Sequence, residues 1–293
     1  MQNLIVKTQE IKMENALYIV ASPIGNLQDI TLRALNILQK VDVIICEDSR
    51  VSVRLLDFYQ IKERKLIIYN DFKSEEDRKK ILHLLMEKKS LALISDAGTP
   101  LISDPGYKLI EFLQKFNQKI IPIPGASSPI AALCASGITS DSFLFIGFLP
   151  NSKIQRQKLF EELPINHSFI CFEAPNRVLE SLKLINDILK NRKICVAREL
   201  TKLHEEIISG EALEMINFFQ NNPEKLRGEF VIIVEKAKKS EKSYTKNELI
   251  SQIKAAIKAG ETLKDLSQNI AEIYNINKKE IYQLALEIGK DRI

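Results

Sequence analysis

SLALISDAGTPLISDPGYKLIEFLQKFNQKIIPIPGASS, residues 90–128, passes from strand to helix and back to strand within one window. SLALISD (90–96) is an apolar run of strand length, and KIIPIPG (119–125) is another. Between them GYKLIEFLQKF places Leu109, Ile110 and Leu113 at helical spacing. Asp104 and Pro105 stand where an N-cap and a first helical residue belong.

The same alternation extends on both sides. LYIVASP (17–23), VDVIICED (41–48) and KLIIYN (65–70) read as earlier strands. Asp29 or Thr31 is placed to cap the helix TLRALNILQK, and Ser74 with Asp77 forms a capping-box pattern before Ile81, Leu84 and Leu85. A second series follows: SFLFIGFLP (142–150), SFICFEAP (168–175), ICVAREL (194–200) and EFVIIVEKA (229–237), with RVLESLKLINDILK helical between them. Alternation of this kind predicts mostly parallel sheets covered on both faces. Two series predict two α/β domains, residues 1–126 and 127–240, joined around ASSPIAALCASGITSD (126–141). The cleft between two domains is a usual ligand position. EKAKKSEKSYTK reads as a lysine-rich linker. Residues 241–293 then carry three short amphipathic helical segments, with turns at Gly260 and at Asn275-Ile276-Asn277, a helix-turn-helix-like pattern.

The chain has 293 residues, 45% hydrophobic and 27% charged, enough for a large core without disulfide or metal staples. Its cysteines, Cys46, Cys134, Cys171 and Cys195, form no CxxC pair, and three of them sit in strand-like runs, as in a reducing compartment. His83, His167 and His204 are scattered, so no metal site is expected. The first residues, MQNLIVKTQEIKMENA, resemble no leader, and no run is long enough to span a bilayer, which predicts a cytoplasmic protein with no membrane association. Residues 1–235 hold 30 Lys+Arg against 30 Asp+Glu, and residues 236–293 hold 12 against 8. The excess charge of +4 therefore lies in the tail and points to a polyanionic partner or to a solvated helical surface.

The loops that follow strands carry the candidate chemistry, because ligands in open α/β sheets bind at the carboxyl ends of strands. SPIGNL (22–27) brackets a tight turn with Pro23 and Gly25 and lacks the GxGxxG dinucleotide fingerprint. EDSR (47–50) gathers Glu47, Asp48 and Arg50 at a strand end; the plainer alternative is an Asp N-cap with a surface ion pair. SDAGTPLISDPGY (95–107) packs more small and φ-constraining residues than a turn needs and suggests a loop that wraps a small molecule through its backbone. PIPGASS (122–128) puts serines at a helix start. FEAPNR (172–177) and ARELTK (197–202) again join carboxylates to arginines at strand ends.

With GFLP and GEFVIIVE, these segments occur in the order and spacing of one family. The chain closely resembles the ribosomal RNA small subunit methyltransferase I family of the tetrapyrrole methylase superfamily, from about Leu17 to Glu235, with a tail like that family's helical module. The resemblance implies two αβα domains with a deep cleft between them that holds S-adenosylmethionine. It implies 2′-O-methylation of a cytidine in the decoding region of small-subunit ribosomal RNA by a homodimer; the assembled 30S subunit is the expected form of the substrate, with free RNA left open as the alternative. Carried over, the cofactor contacts are Pro23, Ile24, Gly25, Asp96, Ala97, Gly98, Thr99, Pro100, Ile102, Ser127 and Ser128. SPIGNL stands where tetrapyrrole-acting relatives show GxGxGD, which favours an RNA substrate.

Methyl transfer from a sulfonium needs alignment and a route for the hydroxyl proton, because the leaving group is a neutral thioether. Glu47, Asp48, Glu173 and Glu199 are candidate bases, and Arg50 and Arg198 complete the candidate catalytic set. Arg50, Arg177, Arg198 and Lys202 are candidate RNA contacts. Two other classes fit the residues less well. A small-molecule methyltransferase would not need the basic tail, and a non-catalytic binding protein would not need so many shaped loops.

Overall fold

A computed structural model of the protein describes residues 13–62, 64–164, 166–237, 246–274 and 277–290. The chain divides into two compact units, residues 1–236 and 237–293.

The first sheet contains β1 (Leu17–Val20), β2 (Val43–Cys46), β3 (Lys65–Ile68), β4 (Leu91–Leu93) and β5 (Ile120–Ile123). Its order is β3-β2-β4-β1-β5, and every pairing is parallel. Both faces are buried, which explains why these strands read as unbroken apolar runs. Tyr18, Val20, Ile44 and Cys46 point to one face, against Ile37 and Leu38 of α1 (Leu32–Lys40) and Leu56 of α2 (Ser49–Phe58). Leu17, Ile19, Val43 and Ile45 point to the other, against Ile81 and Leu85 of α3 (Glu75–Met86) and Leu109 and Leu113 of α4 (Tyr107–Lys115). Thr31 caps α1 by accepting from the Ala34 N–H, and Ser74 with Asp77 forms the full capping box of α3. The start of α4 differs from the sequence expectation. Its N-cap is Gly106 at φ 130°, not Asp104. Leu101 and Ser103 adopt left-handed conformations, so the loop is still turning where the helix was expected to begin.

The second sheet contains β6 (Phe143–Phe148), β7 (Ser168–Glu173), β8 (Lys193–Arg198), β9 (Glu206–Glu211) and β10 (Phe230–Val234) in the order β6-β7-β10-β8-β9. Here the expectation of mostly parallel strands fails. Only β6 and β7 are parallel; β7–β10, β10–β8 and β8–β9 are antiparallel. The reason lies in β9, EIISGE, a strand that none of the apolar runs covers. It follows β8 after a short turn with no helical crossover, and its polar residues suit an edge strand. One face of this sheet is covered by Ala132 and Leu133 of α5 (Ser128–Ser136), which pack with Ile170, Cys195, Ala197, Val231 and Ile233. The other face packs on α6 (Lys153–Glu162), α7 (Val178–Ile188) and α8 (Ala212–Asn221) through Phe160, Leu182, Ile185 and Phe219. Ile24, from the loop after β1, joins the α5 cluster and so ties the first sheet's edge to the second.

The second unit consists of α9 (Lys246–Lys258), α10 (Leu263–Tyr274) and α11 (Lys278–Lys290). Leu249, Ile253, Leu266, Ile270, Ile281 and Ala285 form its own core. Residues 238–245 of the lysine-rich segment, and Asn275 and Ile276 of the expected second turn, lie outside the described residues.

Candidate functional site

The order β4-β1-β5 sets three of the singled-out loops side by side at the carboxyl edge of the first sheet. Hydrogen bonds sew them together. Ser22 and Gly98 exchange backbone bonds of 2.8 and 3.1 Å, and the Thr99 hydroxyl donates to the Ala126 carbonyl at 2.9 Å. Gly98 has φ +75°, and a Cβ there would lie 3.2 Å from Ile24. Leu101 and Ser103, at φ 73° and 66°, are side-chain-bearing residues held in the same region, a cost that proteins accept mainly at functional loops.

Two cavities open at this edge. The first is about 350 Å³, within the range of ligand pockets. Its first-sheet wall includes Ile24, Ala97, Gly98, Thr99, Ile102, Ser127 and Ser128, seven of the eleven residues expected to touch cofactor. The second cavity, about 370 Å³, takes Pro23, Gly25 and Asp96, together with Arg54 and Phe58 of α2 and Lys202. Pro100 lines neither. Ile24, Ala97 and Glu229 line both, so the cavities meet there. Gly25 has a further reason to be glycine: a Cβ would sit 2.5 Å from the Lys202 side chain and 2.8 Å from the Thr201 hydroxyl. The turn is small because the loop after β8 presses on it.

On the opposite wall the expected Glu173 is joined by Phe148, Phe172, Leu200 and Val231, apolar residues at or near ends of second-sheet strands that the sequence reading did not single out. GFLP, FEAP and GEFV carry three of them. The charged residues at these strand ends are largely committed to one another. The Glu173 side chain is fully buried; one oxygen accepts from the Ala174 N–H at 2.7 Å and Arg177 Nε at 2.8 Å, and the other accepts from the Ser181 hydroxyl. Arg177 also bonds Asn151 and so braces the wall. Arg198 donates to Glu206 of β9 at 3.3 Å, and Lys225 holds the other oxygen of Glu206. Glu199, at φ 50°, accepts from Lys202 Nζ at 2.9 Å and from the Glu229 N–H at 3.0 Å. Burial works against ionising Glu199, yet these two bonds outweigh it and hold its carboxyl below the ordinary range.

At the EDSR segment, Asp48 is the N-cap of α2 and accepts from the Arg50 N–H at 2.8 Å. The Arg50 guanidinium closes on the same carboxylate with its side chain 84% exposed, and these bonds lower the Asp48 pKa to about 2. Glu47 is different. Burial raises its pKa, and the charges of Asp96, Asp104 and Asp48 add to the rise. Asp96 and Asp104 are also raised, chiefly by burial, so carboxyl groups crowd the rim beside the first cavity.

The family model for Tetrapyrrole (Corrin/Porphyrin) Methylases matches residues 16–216. The chain is 47% identical to the ribosomal RNA small subunit methyltransferase I of Rickettsia prowazekii, over 76% of this chain and 79% of that one. It is 40% identical to the protein of that name from Pasteurella multocida, over 92% and 96%. Among solved structures, cobalt precorrin-4 methyltransferase superposes with a TM-score of 0.55 at 18% identity, over 78% of this chain and 98% of that one. Uroporphyrin-III C-methyltransferase from Thermus thermophilus, solved with S-adenosylhomocysteine, gives 0.51 at 15% identity, over 75% and 97%. These solved structures share the fold, while the sequence relatives and the family model decide the rest: the chain belongs to the tetrapyrrole methylase family and, within it, to the ribosomal RNA small subunit methyltransferase I group.

Proposed function

We propose that this protein transfers a methyl group from S-adenosylmethionine to small-subunit ribosomal RNA, at the 2′-hydroxyl of a cytidine in the decoding region. The observation that carries the reading is the pair of cavities meeting at Ile24, Ala97 and Glu229, one for a methyl donor and one for its acceptor. The first cavity suits S-adenosylmethionine. Ser127 is the N-cap of α5 yet makes no side-chain cap bond, so its hydroxyl and the first-turn N–H groups remain for an anionic ligand group. Gly98 leaves room that a Cβ would occupy, and Ile102 and Phe172 give apolar walls. When bound, the cofactor supplies an electrophilic methyl on a sulfonium.

The chain's own residues then bind, align and exclude water. The interlocked loops fix one wall and the Glu173–Arg177 pair fixes the other, which is the kind of positioning that removes much of a transfer barrier. Among the candidate bases, Glu173 uses both oxygens in internal bonds, Glu199 uses Oε1 and Asp48 caps a helix, whereas burial raises the pKa of Glu47. Single-turnover methylation by the four amide variants would rank them. Arg50, Arg177, Arg198 and Lys202 as RNA contacts would each have to leave the carboxylate that now holds it.

We infer further that the enzyme works in the cytoplasm on the assembled 30S subunit, as a homodimer, with residues 1–126 and 127–240 as catalytic halves and 241–293 holding RNA. The tail's charge excess supports the last point. Deleting residues 244–293 should leave cofactor affinity intact and flatten the salt dependence of RNA binding by up to about 0.9 in log–log slope per lost phosphate contact. Equal slopes would remove the tail from RNA binding. The decisive experiment maps ribose methylation on 16S ribosomal RNA from cells with and without the gene. One 2′-O-methylcytidine should vanish with the gene, and an unchanged map would overturn the assignment.

A further inference from the structure

The second cavity has the size and walls of a compartment of its own. Leu27, Val51, Leu55 and Phe58 are apolar lining residues, and Arg54, Asp96, Lys202 and Glu229 are charged ones. Phe58 is 53% exposed and lines the cavity, so its ring face is open to a ligand. Its ring is held edge-on to Tyr59 with centroids 5.0 Å apart, and Tyr59 in turn is tied by its hydroxyl to the Leu27 carbonyl. A platform fixed in this way loses little freedom on binding a flat ligand. Arg54 forms no ion pair among the described residues, in contrast to Arg50, Arg177 and Arg198. Glu229 is the one titratable residue lining both cavities among those described, and its carboxylate accepts from Lys202 Nζ at 3.0 Å.

We propose that this second cavity receives a single unstacked nucleotide of the RNA, its base on Phe58, its phosphate at Arg54 and its ribose hydroxyl at Glu229. The inference rests on the RNA methyltransferase reading given above. Extruding a nucleotide from its stack is how enzymes reach atoms that a folded nucleic acid hides, and aromatic faces are the usual landing site for unstacked bases. In the transfer the ribose oxygen forms a bond to the methyl carbon as the carbon–sulfur bond breaks. The electron pair of that bond leaves on sulfur, and the hydroxyl proton passes to Glu229 Oε1, the oxygen not bonded by Lys202, so that Glu229 and not Glu47 serves as the base.

The test uses full-length enzyme, labelled S-adenosylmethionine and small ribosomal subunits from a strain lacking the gene. Phe58→Ala should lower kcat/KM about 10- to 100-fold, the range of one lost base stack. Phe58→Trp should recover most of it and Phe58→Leu little, because an aliphatic side chain fills space but offers no π-face. Glu229→Gln should slow single turnover on saturated enzyme about 10²- to 10⁴-fold, with cofactor and subunit affinities within twofold of wild type. Rates near wild type for both Phe58→Ala and Glu229→Gln would overturn the pocket, as would equal recovery by Trp and Leu. Wild-type enzyme that labels no subunit RNA would instead defeat the function proposed above, so the two failures are distinguishable.

Discussion

The two sheets build opposite walls of one cavity by different means. The first uses backbone: glycine, serine and left-handed residues between 95 and 106, sewn to their neighbours by main-chain bonds. The second uses side chains: aromatic and aliphatic residues in front, and behind them the buried Glu173–Arg177 pair with Ser181 and Asn151. Backbone shape is written in residue types that few other conformations require. Side-chain pairing depends on which strands and helices become neighbours, and in neither sheet is that order the chain order.

The contrast predicts that the second wall fails through stability and the first through binding. Glu173→Ala leaves Arg177 partly buried without its carboxylate and should cost about 3–5 kcal/mol in urea unfolding. A loss below 1 kcal/mol would mean that the pair does not brace the wall. Gly98→Val should weaken cofactor binding at least about 100-fold, or 2.7 kcal/mol, by calorimetry on folded protein, because a branched side chain enters the cavity at a φ it resists. Gly98→Ala intrudes far less and lacks the branching that adds strain at positive φ, so it should lose much less affinity; an equal loss would mean that side-chain size is not the cause. The smallest effect concerns Asp104, whose pKa is raised chiefly by burial. A carboxyl raised in the folded state favours folding when protonated and loses that contribution as pH rises from its unfolded pKa, about 3.9, through its folded one. Asp104→Asn should therefore raise the melting temperature of cofactor-free enzyme at pH 7, with the gain shrinking toward pH 4. A gain that grows on acidification would contradict the sign.

Much of this was legible in the sequence, unevenly. The first sheet's strands were each visible because burial on two faces leaves unbroken apolar runs, as in VIIC of β2. β9 was invisible because EIISGE pairs along one edge only and can afford glutamates and glycine. The shaped loop after β4 was legible because Gly98, Thr99, Pro100, Pro105 and Gly106 are more conformational punctuation than a turn needs, and Gly98 does take a positive φ. Phe58 and Glu229 were passed over for a physical reason too. One looks like an ordinary helix residue and the other like a charge before a strand, and only folding brings both to the cavity that touches Ala97.

The central strand of the second sheet, β10, is the last of its strands in the chain. During synthesis β7 and β8 emerge without the partner that will lie between them, so each waits with an open edge until residues 230–234 arrive. A nascent chain at that stage is exposed to mispairing with another copy, and a message truncated just before Phe230 would leave that hazard permanent. The second wall of the cavity, to which Val231 belongs, therefore cannot be completed before residues 230–234 have been made.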